Sequence, residues 1–116
     1  LIIVAGVNVY PEDVEDAVGK VDGVVPGRVI SFGQYAEELG TEVISVIAET
    51  KLAAEEERKS LKKNIVAAGM AIDVMIYNVY LVPPRWLIKS SAGKPSRKAS
   101  SERIQDIEEQ KKWIVK

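Results

Sequence analysis

A lysine preceded by glycine and flanked by small hydroxylated residues is the group in this chain best suited to chemistry. The stretch Lys89-Ser-Ser-Ala-Gly-Lys94-Pro-Ser-Arg97 follows the strand-like run Val79-Tyr-Leu-Val-Pro-Pro84. Gly93 opens backbone conformations closed to other residues, and the serines around it add little bulk, so the sequence predicts a flexible loop with Lys94 at its tip. Such a loop can carry an ammonium into a partner's cleft. No acidic residue occurs from Val74 to Ser101, whereas Arg85, Lys89, Lys94, Arg97 and Lys98 all fall in that window. A net charge of only −1 therefore hides one basic segment in an otherwise acidic chain. That asymmetry points to an anionic partner at this end of the chain rather than to general polyanion binding. The plainer alternative is a solvated basic loop beside a charged C-terminal tail.

Other chemistries lack the residues they need. The chain has no Cys, which removes disulfides, thiolate nucleophiles and Cys-rich zinc sites. It also has no His, so serine triads, metalloprotease helices and His-based proton transfer have no candidate, and no metal ligand set is expected. The phosphate loop of the nucleoside triphosphatases needs a Gly where this chain has Ile88, and a Ser or Thr where it has Pro95. Glu12, Asp13, Glu15 and Asp16 invite an acid/base reading, but acids crowded into the first turns of a helix are better explained by its dipole. Nucleic-acid binding would use Trp86 and the basic residues near it, and the overall acidity argues against it.

The loop has to be positioned by a single domain. A chain of 116 residues can bury roughly two-thirds of the surface its unfolded form exposes, enough for a core without metal or disulfide. The pattern reads strand, strand, helix, strand, strand, helix, strand, loop, helix: an α+β fold with a small mixed sheet of about three strands flanked by helices, plus an N-terminal two-stranded hairpin. Ala5-Gly6 suits the turn between the runs Leu1–Val4 and Val7–Tyr10, and Pro11 suits a helix start with Val14, Ala17 and Val18 as its apolar stripe. Gly27–Gln34 and Glu42–Glu49 read as antiparallel neighbours joined by Tyr35–Thr41, the second strand buried on both faces. Ala53–Ala68 reads as a helix with Leu61, Ile65 and Ala68 on one face and Gly69 as its C-terminal cap. Val74–Val82 reads as a strand stopped by Pro83-Pro84. The last helix starts at Arg97 with a sparse stripe of Ile104, Ile107 and Ile114, and Trp113 is expected to pack back onto the body or to join a contact surface. No apolar run is long enough to span a bilayer, a cytoplasmic location is expected, and a start without Met inside an apolar strand suggests a piece of a longer protein.

Two segments carry a resemblance. Leu1-Ile-Ile-Val-Ala-Gly-Val-Asn-Val-Tyr-Pro-Glu-Asp-Val-Glu15 resembles the start of the C-terminal domain of the AMP-forming acyl-adenylating ligases, where a glycine-containing turn precedes a Pro-x-x-(Ile/Val)-Glu helix start. Leu81-Val-Pro-Pro followed by Leu87-Ile-Lys-Ser-Ser-Ala-Gly-Lys-Pro-Ser-Arg97 is similar to that family's Leu-Pro-Lys-Thr-Ser-Ser-Gly-Lys-x-x-Arg. Gly27–Gly33 and Leu39–Glu49 lean toward the branch of fatty acyl-AMP ligases and related acyl-CoA synthetases. Ile88, Ser90 and Ala92 depart from the family's Pro, Thr and second Ser.

The resemblance implies a C-terminal lid over residues 1–103, followed by a charged helical tail over 104–116. It also implies a larger enzyme that activates a carboxylic acid, with fatty acids first in mind, and then passes the acyl group to a pantetheine thiol. ATP and AMP, Mg2+, and CoA or pantetheine would serve the full-length enzyme, none of them bound by this domain alone. The implied partners are an N-terminal adenylation domain and CoA or an acyl carrier protein. Lys94 would be catalytic, with Gly93, Lys89 and Arg97 supporting the loop, and Gly6, Val7 and Asn8 would approach the pantetheine arm. A plain turn is the competing reading for Gly6–Asn8. A non-catalytic adapter with a ligase-like fold, and a small nucleotide- or RNA-binding domain, stay open as other functions.

Overall fold

Alternation and turn chemistry build this fold from its N-terminus. The computed structural model describes residues 1–91 and 93–113, the side chains of 108–113 excepted. Ala92, Ile114 and the side chain of Trp113 therefore lie outside the described residues. Strands β1 (Ile2–Val4) and β2 (Val7–Val9) pair antiparallel with Val4 opposite Val7. The turn between them is left-handed at both central residues, Ala5 (φ 48°) and Gly6 (φ 85°), as a two-residue hairpin that follows strand twist requires. Helix α1 (Pro11–Gly19) begins on the proline and buries Val14 and Val18.

Strands β3 (Val24–Ala36), β4 (Thr41–Thr50) and β5 (Ile76–Val82) form one sheet in the order β3-β4-β5. The β3 and β4 strands are antiparallel, with Val29 opposite Ala48 and Tyr35 opposite Glu42. Helix α2 (Glu55–Met70) carries the chain across so that β5 runs parallel to β4. Helix α3 (Arg97–Trp113) continues unbroken through residues 103 and 104, and Ile104 is buried. The central strand splits its side chains between two cores. Ile44, Val46 and Ala48 join Val14, Val18, Leu61 and Ile65 under α1 and α2, while Ile47 joins Ile30, Phe32, Val82, Leu87 and Ile104 under α3. The architecture is the α+β fold with a three-stranded mixed sheet and a separate hairpin that the periodicity predicts. Among the described residues no helix is long and apolar enough to cross a membrane.

Gly69 departs from its expected role. It sits inside α2, buried, where an added Cβ would lie 2.7 Å from Ile76 Cδ1 and 3.0 Å from the Val74 carbonyl oxygen. Its job is close approach between the helix and the start of β5. The helix is closed four residues later by Asp73 in the left-handed region (φ 61°), with Val74 N–H donating to Gly69 O at 2.9 Å and Asp73 N–H to Met70 O at 3.0 Å. That pair of bonds is a Schellman closure with aspartate in the place usually taken by glycine.

The N-terminal hairpin is fastened to the sheet by β4. Ala5 N–H donates to Thr41 Oγ1 at 2.8 Å and Ile3 N–H to Glu42 Oε1 at 3.3 Å. Ile2 enters the core beside Gly33, where a Cβ would lie 3.0 Å from Ile2 Cγ2.

Candidate functional site

Among the described residues between Ile88 and Ser96, backbone hydrogen bonds shape a tongue. Lys89 and Pro95 bridge across it, Ser96 N–H donates to Ile88 O at 2.7 Å, and Ser90 N–H donates to Lys94 O at 2.7 Å. At its tip Gly93 has φ 83° and donates its N–H to Ser90 O at 2.9 Å, a left-handed backbone that an L side chain would strain. The tongue returns directly into α3. Ser96 caps that helix by accepting from Ala99 N–H at 3.1 Å, satisfying one of the free donors of the first turn.

Three polar fastenings hold the base of the tongue. Buried Ser100 accepts from Ile88 N–H through Oγ at 3.0 Å. Glu49, 1% exposed at the inner end of β4, accepts from the N–H groups of Arg85 and Leu87, each at 2.9 Å. Arg28 on β3 clasps the same carboxylate through Nε at 3.0 Å and Nη2 at 2.8 Å, and also donates to Leu87 O at 3.2 Å. Burial pushes the Glu49 carboxyl upward. Hydrogen bonds from Arg28, Leu87 and Arg85, with the charge of Arg28, outweigh that effect and hold it below its ordinary value. Arg85 adopts a left-handed backbone (φ 68°), which presents its N–H to Glu49.

The third fastening joins the two motifs singled out in the sequence. Arg97 at the foot of the tongue donates to Glu15 of α1 through Nε at 2.7 Å and Nη2 at 2.9 Å, across 82 residues of chain. Glu15 Oε2 also accepts from Ser31 N–H of β3 at 2.9 Å. The Glu15 carboxylate holds the Arg97 guanidinium above its ordinary range. Glu15 is thus more than a dipole-stabilising acid, and Arg97 is engaged in structure.

Lys94 is different. It is exposed, and its ammonium has no ion pair or hydrogen bond among the described residues. With Pro95 and Arg97 it lines one side of an open cleft of about 650 Å3, whose other side is Glu15, Asp16 and Gly19 of α1. Lys89 is exposed, lining a separate hollow with Arg28, Glu49 and Arg85.

Gly6, Val7 and Asn8 are not brought to Lys94. Val7 and Asn8 line a cleft of about 490 Å3 with Tyr10, Asp13, Ile72 and Asp73 on the other flank of α1. Asp16 of α1 and Lys20, which caps its C-terminus, border both clefts. The helix therefore stands between two separate candidate surfaces. Among the described residues no cluster of three His, Cys, Asp or Glu side chains is placed to hold a metal ion.

Fold and site together define a small α+β domain that presents Lys94 near the tip of a braced tongue, with Lys89 at its base likewise unpaired among the described residues. No protein-family model matches the chain. A Mycobacterium tuberculosis protein named as a ligase is 33% identical over 101 residues, covering 84% of this chain and 18% of the relative. The Mycobacterium leprae fatty-acid–CoA ligase FadD21 is 32% identical over 109 residues, covering 88% of this chain and 18% of the relative. Among solved structures, one from work on fatty acyl-adenylate ligases of E. coli and L. pneumophila superposes with a TM-score of 0.75 at 27% identity, over 95% of this chain and 19% of that one. The chain belongs to the AMP-forming acyl-adenylating ligases and corresponds to their C-terminal domain. It spans 18% of the length of these two relatives.

Proposed function

We propose that this domain serves a larger ligase as its lid, delivering Lys94 to the first of two half-reactions. In that step a carboxylate oxygen of the acid attacks the α-phosphorus of ATP, the bond to the bridging oxygen breaks, and pyrophosphate leaves. Negative charge grows on the α-phosphoryl oxygens and on the departing pyrophosphate. A cation positioned before the reaction stabilises that charge without reorganising. In the second step a thiol sulfur attacks the acyl carbon, its proton is lost to solvent or a base, and AMP leaves with the bonding pair. CoA or a carrier-protein pantetheine would supply the thiol, and the turn at Gly6, Val7 and Asn8 would meet it. ATP and its Mg2+ would be held mostly by the parent's remaining chain, this domain contributing the lysine.

The observation that carries this reading is the division of labour between neighbouring cations. Arg97 is bound by Glu15 and braces the tongue, while Lys94, three positions earlier, faces a cleft with its ammonium uncommitted among the described residues. The separation of the two clefts by α1 further supports a domain that presents different faces in the two half-reactions.

The test is pyrophosphate release by the parent protein, with ATP and Mg2+, across carboxylic acids from short to long chain and aromatic. Release that depends on one class of acid is expected, with fatty acids first. If no acid elicits release while the protein is folded, the ligase reading is overturned.

A further inference from the structure

We propose that the outer edge of β5 is a docking groove for an extended peptide segment whose side chains alternate between acidic and apolar. This surface is distinct from both clefts described above. The strand order β3-β4-β5 leaves β5 with a strand on one side only among the described residues. One row of its backbone N–H and C=O groups faces β4, and the other row faces away from it.

The outer row lies at the floor of a groove of about 500 Å3. Every residue from Val79 to Pro83 contributes to that floor. Consecutive residues of a strand point to opposite faces, so a lining that takes in four strand residues in succession, Val79–Val82, means that the edge itself is presented. Helix α2 rises on one side of the sheet and α3 on the other, and both overhang the edge.

The two walls differ in chemistry. Arg58, Lys59 and Lys62 form the α2 wall with Glu55 as its one acid, while Trp86, Ile104 and Ile107 form the α3 wall. Arg58 Nε is committed to Leu52 O at 2.9 Å, whereas Lys59 and Lys62 are exposed with no acceptor among the described residues. Trp86 is held in place by Arg103, which donates to its carbonyl at 2.7 Å and lies 4.4 Å above its ring. A strand added to β5 would turn successive side chains toward α2 and α3 in alternation. One set would meet lysines and the other an apolar wall, so charge complementarity fixes the occupant as acidic on one face and apolar on the other. Pro83 offers no N–H and ends the pairing.

Lysines beside an edge can also serve to repel other strands, and the experiment separates the two cases. A capped peptide of about eight residues alternating Glu and Leu, long enough to span β5, is titrated into the 15N-labelled 116-residue chain. Saturable shifts are expected at the amides of Val79–Val82, Lys59, Lys62 and Ile107. Peptides N-methylated on one alternate set of residues should lose binding, while those methylated on the other set should keep it. Lys59→Glu combined with Lys62→Glu should weaken the affinity at least tenfold.

Absence of saturable binding overturns the proposal, and so does binding that tolerates both methylation patterns or survives the charge reversal. A chain ending at Trp113 that binds at least tenfold more tightly than the full chain would show that residues 114–116 occupy the groove, and would overturn the assignment to a separate segment.

Discussion

Arginine and lysine divide the work around the tongue according to their chemistry. Arg28 and Arg97 each clasp one carboxylate through two nitrogens, a bidentate geometry that the planar guanidinium fits and an ammonium does not. Lys94 carries a compact charge on a long stem and makes no such commitment among the described residues. Glu49 holds the scheme together, and its loss is predictable. Glu49→Gln keeps the shape but leaves Arg28 with an unpaired, partly buried charge and turns an amide toward the N–H of Arg85 or Leu87. It should cost about 3 kcal/mol, measured by urea unfolding. Because the folded carboxyl titrates below its ordinary value, its stabilisation is present above the ordinary glutamate range and is lost as pH falls through the depressed value. The gap between wild type and Glu49→Gln should therefore shrink toward zero in acid. A gap independent of pH would mean that the ionised carboxylate is not the stabilising species. The sequence made Lys94 conspicuous through its glycine and the absence of acids around it, but Glu49 looked like the end of an apolar run. It becomes visible only once the register sets Val29 opposite Ala48, which places Arg28 beside it.

The elements themselves were largely legible, because their signals are local. Pro11 starts α1, Pro83-Pro84 ends β5, and the nearly continuous apolar run of β4 marks a strand buried on both faces. The exceptions arise where a distant contact decides. The β3 strand runs on through Pro26 and Gly27 by shifting register between Val24 and Val29, and Gly69 belongs to a helix–strand contact that no local pattern reveals. Gly69→Ala should therefore destabilise, despite alanine's higher helix propensity, by about 1–3 kcal/mol from overpacking against Ile76. Asp73→Gly should do the opposite. It relieves a left-handed aspartate and should stabilise by about 0.5–1 kcal/mol even after the entropy lost on folding a glycine is counted. Thermal melts of both variants check the pair, and stabilisation by Gly69→Ala would show that the α2–β5 contact is loose.

At the scale of the molecule, contacts far apart in sequence bring the two motifs together at one helix. Arg97 reaches Glu15 across 82 residues, so the tongue is braced against α1 while Val7 and Asn8 of the hairpin line a cleft on that helix's other flank. Spacing along the chain marked both motifs but not their ion pair, since nothing local in Pro11–Glu15 names a partner so distant. The proposed assignment of one cleft to each half-reaction predicts that damage to one half-reaction spares the other. The most direct measurement uses the parent ligase with Lys94→Ala and assays each half separately: acid-dependent pyrophosphate–ATP exchange, and thioester formation from synthetic acyl-adenylate. Exchange should fall by about 10²-fold or more while thioester formation stays within about threefold of wild type. Equal loss of both, or exchange at the wild-type rate, would contradict the role given to Lys94.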